Sequence, residues 1–206
     1  TWLSMIQKSQ HSSNHARTAW IYHQDSPDGG GTLGVALQRL EGTFTEFGFS
    51  VDTKQCLPDL SCAEISVIVA HGGLTTSGRY IHRISDEETL VETPEALANS
   101  VRYSDVVILF VCSGGRIDKH PWSNTTVGLP KLLLNKGARA VIASPWPLDV
   151  KVTYRWLQPF LTKWDAGASL FEATKAANDD IARNLGHNPQ YALAMTVYGD
   201  GFLTKP

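Results

Sequence analysis

Three short stretches of this sequence are apolar almost without a break, and they constrain its fold more than any other feature. They are Ile65-Ser66-Val67-Ile68-Val69-Ala70, Asp105-Val106-Val107-Ile108-Leu109-Phe110-Val111 and Ala138-Arg139-Ala140-Val141-Ile142-Ala143. A strand wetted on one face alternates apolar and polar side chains, whereas a strand covered on both faces need not. These Val- and Ile-rich runs therefore read as strands inside a parallel sheet with helices over both faces. The intervals between them are long enough for the crossovers that parallel neighbours require.

The rest of the chain supplies the other layers. Thr18 to His23 reads as a first strand, followed by a turn-rich loop from Asp25 to Gly31. Leu33, Leu37, Leu40, Phe44 and Phe47 recur at helical spacing, with Thr32 placed to cap them and Gly48 to end them. Phe49 to Asp52 is a short second strand. A hairpin-like piece from Arg79 to Ile84 precedes an acidic patch at Asp86, Glu87, Glu88 and Glu92. A helix follows over Pro94 to Ser100, with Pro94 in its first turn. A long loop, 113–126, leads to a helix through Lys136 that Gly137 stops. Helices over 150–164 and 168–185 and a last strand over 191–198 complete the set. Strands alternating with helices predict one α/β domain of three layers, a mostly parallel six-stranded sheet flanked by helices. That domain spans 16–206. Residues 1–15 are polar enough to be a flexible lead-in. The start, Thr1-Trp2-Leu3-Ser4-Met5, has neither an initiator Met nor a signal-peptide pattern and reads as part of something longer.

Charge and cysteine usage narrow the function. With 18 basic and 20 acidic side chains among 206 residues, the net charge is −2, unlike a general nucleic-acid binder. No run of about 18 apolar residues is present to span a membrane. Cys56, Cys62 and Cys112 make an odd count, which argues for a reducing, cytoplasmic setting over a disulfide framework. Cys56 and Cys62 have no further ligands at metal spacing, so no metal is expected.

Functional groups in open α/β sheets gather where strands end at their carboxyl edge. His71 follows the first of the three apolar runs and Cys112 the second. If those strands are parallel neighbours about 4.8 Å apart, both side chains emerge at one edge. A thiol becomes a usable nucleophile when a nearby imidazole takes its proton. Gly72 lacks a Cβ, and its amide together with that of Cys112 could form an oxyanion hole. Gly114 and Gly115 would leave the floor beside the sulfur open. The reaction class is acyl transfer from an amide to cysteine, followed by hydrolysis. From the residues alone, a packed thiol and a hydrogen-bonded loop histidine fit the pattern equally well.

A second motif competes. Gly29-Gly30-Gly31-Thr32-Leu33-Gly34 satisfies G-x-G-x-x-G between a strand and a helix, with Asp52 eighteen residues beyond Gly34. The proline-containing loop from His23 to Gly29 displaces the first glycine from the tight turn a dinucleotide site needs. No phosphate-loop signature is present. His82 and His120 fit surface or structural roles better than cleft ones.

A strand ending in His-Gly and a later strand ending in Cys-Ser-Gly resembles the caspase-like cysteine peptidases of clan CD. The stretch from Gly128 to Asp149 is more specific. A helix leads through Gly137-Ala138-Arg139 into a strand closed by Trp146-Pro147, which resembles the CHAT branch, caspase-like domains associated with tetratricopeptide repeats (TPR). Ala173-x-x-x-Ala177 and Tyr198-Gly199-Asp200 match the family's ending. The resemblance covers about 16–200 and is strong from Val67 onward. It implies a caspase-like fold, His71 as general base, Cys112 as nucleophile, and the Gly72 and Cys112 amides as oxyanion donors. It implies no cofactor, a protein substrate, and control by a TPR or effector module in defence or signalling, as in relatives partnered with CRISPR effectors. Relatives build their primary pocket from the loops after the first, fourth and fifth strands, which here offer Asp25, Phe110, Trp146 and Asp149. Phe110 and Trp146 would make an apolar wall. Asp25 and Asp149 could select a basic residue, or simply serve as turn and cap. Phe110-Val111 stand where caspases have Gln-Ala, so aspartate specificity is not implied. A catalytically silent scaffold of the same family, or a nucleotide-binding α/β domain, are the alternatives.

Overall fold

The computed structural model describes residues 17–23, 32–54, 60–70, 72–73, 83–84, 93–116, 118–119, 126–185 and 195–205. The three apolar runs form adjacent parallel strands, as their composition requires. They are β3 (Ile65–Ala70), β6 (Val106–Val111) and β9 (Ala140–Ala143), with every residue buried. With β1 (Thr18–His23), β2 (Ser50–Lys54) and β10 (Thr196–Gly199) they make a six-stranded sheet of order β10-β9-β6-β3-β1-β2. Five strands are parallel and β10 runs antiparallel to β9. Of the strand expected over 191–198, residues 191–194 lie outside the described set.

Helices cover both faces among the described residues: α1 (Thr32–Glu46), α2 (Pro94–Ser100), α3 (Leu129–Lys136), α4 (Val150–Asp165) and α5 (Leu170–Leu185). Strand periodicity sorts the core in two. Ile65, Val67, Val69, Ile108 and Phe110 face α1, α4 and α5, while Ile68, Ala70, Leu109 and Val111 face α2 and α3. On α4, Trp156, Phe160 and Trp164 recur every fourth residue, so all three rings fall on the sheet-facing side. Their centroids stack at 4.8 and 6.3 Å. Burying each ring stabilises the fold by about 1.5–3 kcal/mol. The indole N–H groups are satisfied: Trp156 donates to Asn178 Oδ1 at 2.8 Å, and Trp164 to the buried Glu64 Oε1 at 3.0 Å.

Helix ends follow their local chemistry. Thr93 caps α2 by accepting the Ala96 amide at 3.1 Å, with Pro94 at the first position. Ser169 and Glu172 form a capping box at the start of α5, Ser169 donating to Glu172 Oε2 through N–H and hydroxyl. No helix among the described residues is long and apolar enough to cross a membrane.

Two small ribbons depart from expectation. β4 (Gly72–Gly73) pairs antiparallel with β5 (Arg83–Ile84), so the last two residues of the hairpin-like piece pair with the glycines after β3. The region read as loop over 113–126 holds another ribbon, β7 (Asp118–Lys119) with β8 (Thr126–Val127). Residues 79–82 and the acidic patch lie outside the described residues.

Candidate active site

The carboxyl ends of β3 and β6 come together. Their register pairs Ile65 with Val106 and continues without a slip to Ala70 opposite Val111. Cys112 is the next residue after Val111. His71 is the next after Ala70, and it lies outside the described residues, as does Asp25.

Cys112 opens a turn that the segment after β9 clasps. The Leu148 amide donates to Cys112 Sγ at 3.4 Å, and Sγ lies 3.6 Å from the Leu148 carbonyl. The Ser113 amide donates to the Trp146 carbonyl at 3.0 Å and the Gly115 amide to the Ser144 carbonyl at 2.7 Å. Ser144 Oγ braces that segment, accepting from the Trp146 amide at 3.1 Å and donating to the Trp146 carbonyl at 3.0 Å. Ser113 takes φ 56°, a left-handed conformation that a side chain tolerates only where surrounding bonds hold it. The result is a half-buried sulfur on a strained, well-tied turn at a strand end.

Tyr198 on β10 completes the turn's anchorage. Its hydroxyl donates to the Gly115 carbonyl at 2.6 Å. Burial pushes this phenol above its ordinary ionisation range, so it remains a donor.

The remaining expected site residues divide. Trp146 is 51% exposed beside the cysteine turn, in a position to meet a ligand. Asp149 is half-buried immediately before α4, where its carbonyl accepts the Val152 amide at 2.9 Å, a helix-start position. Phe110 needs correction. It is 3% exposed and packs edge-on against Trp156 at 6.0 Å, because it shares its strand face with Ile108 and points into the helical layer. It supports the site from within the core and offers no surface as a pocket wall.

Gly114 and Gly115 also play a different part from the one expected. Both are buried, and a Cβ on Gly115 would meet Tyr198 Oη at 2.8 Å and the Ala143 carbonyl oxygen at 2.9 Å. Their lack of side chain lets the turn pack against the end of β9; it does not open a floor for substrate. The Leu148 clasp and the Tyr198 anchor were absent from the sequence reading. The placement of 144–149 after a strand points toward the first, and the motif Tyr198-Gly199-Asp200 marks the second without revealing its partner.

The dinucleotide reading loses ground at Gly34. Residues 29–31 lie outside the described set, but Gly34 sits inside α1, and a Cβ there would have nothing within 4 Å. The third glycine of that fingerprint exists for close helix–strand packing, which is lacking here.

The model of the CHAT domain family matches residues 67–200, well over half of the chain. Among curated proteins none matches the sequence. Among solved structures, gingipain R (RgpB), an Arg-specific cysteine proteinase, aligns with a TM-score of 0.62 at 13% identity, over 98% of this chain and 52% of its own. The complex of Porphyromonas gingivalis RgpB pro- and mature domains gives 0.61 at 13% identity, over 98% and 53%. The Saccharomyces cerevisiae separase–securin complex gives 0.59 at 13% identity, over 95% of this chain and 13% of that one. The chain thus spans about half the length of the gingipain chains and a small part of separase. The six-stranded, mostly parallel sheet between helices is the caspase-like fold.

Proposed function

Because the chain belongs to the CHAT domain family, we propose that it is a cysteine peptidase domain hydrolysing peptide bonds of a protein substrate through Cys112 and His71. The observation that carries this reading is the register of β3 and β6, in which the residues just before the two are direct partners on neighbouring parallel strands. The clasped turn supports it further, since catalysis depends on a nucleophile held in one geometry. In the proposed reaction His71 accepts the thiol proton as the sulfur adds to the peptide carbonyl. The tetrahedral oxyanion is met by the amides of Gly72 and Cys112. Collapse breaks the C–N bond, and the proton passes from His71 to the leaving amine. Water, deprotonated by His71, then adds to the thioester and releases the acid and the thiol.

The substrate pocket in this reading is bounded by exposed Trp146, with Asp149 and Asp25 as candidate acids. An acidic pocket would favour a basic residue before the scissile bond; gingipain R is itself named as Arg-specific. A TPR or effector module, attached or separate, would govern access, in prokaryotic defence or signalling. A peptide library analysed by mass spectrometry tests the proposal. Cleavage should cluster after a restricted residue class and vanish in both Cys112→Ala and His71→Ala. Cleavage that survives either substitution would refute it, and the chain would stand as a non-catalytic interaction scaffold.

A further inference from the structure

We propose that Tyr198 is a positioning residue for the nucleophile, fixing the turn that carries Cys112 so that its main chain faces the reacting carbonyl; this rests on the peptidase reading above. Tyr198 lies on β10, opposite Val141 of β9, at the far side of β9 from the cysteine strand. Its ring packs against the α2/α3 face of the core, and its hydroxyl reaches the Gly115 carbonyl at 2.6 Å. Gly115 is the residue whose amide bonds Ser144, so both polar groups of its main chain are held.

The arrangement suits control of orientation. The amides of Ser113 and Gly115 are tied to main-chain carbonyls of the segment after β9, while the Gly115 carbonyl is tied by a side chain from another strand. Ser113 stands in the left-handed region and is the residue most ready to relax if the turn is released. Relaxation there would rotate the peptide units on both sides of it and so tilt the Cys112 main chain, although the sulfur keeps its place beside Leu148. Gly115 is fitted to the phenol: a Cβ at that position would meet the hydroxyl at 2.8 Å. The motif Tyr198-Gly199-Asp200 is thereby tied to the site. Gly199 holds φ 93° where a Cβ would meet the Arg139 carbonyl at 2.6 Å, and the Asp200 amide bonds the same carbonyl at 3.1 Å, fixing the end of the strand that delivers the phenol.

Two thiol reagents separate positioning from general stability. A peptidyl acyloxymethyl ketone reacts through a carbonyl that must sit against the oxyanion donors, whereas iodoacetamide needs only a reachable sulfur. In Tyr198→Phe the rate of Cys112 modification by the ketone should fall about tenfold, with the iodoacetamide rate within about twofold of wild type. Val197→Ala, on the same strand but packed into the other core, should leave both rates within about twofold. Incorporating 4-aminophenylalanine at 198, which returns an N–H donor, should restore the ketone rate and keeps the test valid if the phenylalanine variant folds poorly. Equal loss with both reagents, no loss with the ketone, the same selective loss in Val197→Ala, or no rescue by the amine would each overturn the proposal. A wild-type Cys112 whose ketone reaction ignores His71→Ala would instead show that the dyad reading itself fails, and this inference would fall with it.

Discussion

Replacing Gly115 with alanine puts a methyl group where the fold has no room for one. The new Cβ would lie 2.8 Å from Tyr198 Oη, 2.9 Å from the Ala143 carbonyl oxygen and 2.9 Å from the Ser144 carbonyl carbon. Two of these neighbours are main chain at the end of a central strand, so the turn itself must move. Overpacking of this kind costs about 1–3 kcal/mol. Displacing the turn also endangers the Tyr198 and Ser144 bonds to Gly115, each a net contribution of about 0.5–1.5 kcal/mol. A destabilisation of about 2–6 kcal/mol follows, lowering Tm by roughly 4–24 °C for a domain of this size. Gly34→Ala is the matched control. That site is an exposed helical position with open space around it, so alanine should raise stability by up to about 1 kcal/mol. Urea denaturation of the two variants beside wild type, followed by tryptophan fluorescence, reads both. A Gly115→Ala midpoint equal to wild type would refute the claim that the cysteine turn is packed against β9.

Other positions give independent checks. Trp164→Phe removes the donor to Glu64, which is only 4% exposed, and leaves a buried carboxyl short of a partner. Calorimetry should show a loss of about 1–3 kcal/mol, and a smaller loss in the double variant with Glu64→Gln than the single losses add up to. The Ser169 amide and hydroxyl hold Glu172 below its ordinary ionisation range. Its folded-state pKa is depressed, so its stabilising effect is present above the ordinary carboxylate range and lost as pH falls through the lowered value. Hydrogen exchange at the start of α5 should therefore separate Glu172→Gln from wild type at neutral pH and converge for the two in acid.

Much of this architecture was legible from Ile65–Ala70, Val106–Val111 and Ala140–Ala143, because only two-sided burial makes unbroken apolar runs stable in a soluble sheet. The spacing of crossovers allowed these strands to be neighbours without requiring it; the order of the assembled sheet supplies the adjacency, and with it the meeting of the positions that precede His71 and Cys112. Phe110 was misplaced because a residue one position inside a strand end can face either layer. Its shared face with Ile108 was in the sequence and decides the matter. The ribbon of Asp118–Lys119 with Thr126–Val127 was missed because two-residue strands carry no periodicity. Tyr198 and Gly115 are 83 positions apart and meet only after the sheet is assembled. The glycines after the cysteine looked like access for a substrate, but they are shaped by contacts no local pattern encodes.

The most direct test of the peptidase account is peptide mapping of the chain after treatment with a peptidyl acyloxymethyl ketone carrying mixed residues next to the warhead. One adduct is expected, on Cys112, formed in wild type and slowed about a hundredfold or more in His71→Ala, the range that follows removal of a general base. Modification confined to Cys56 and the exposed Cys62, or a Cys112 adduct forming equally fast without the imidazole, would contradict it.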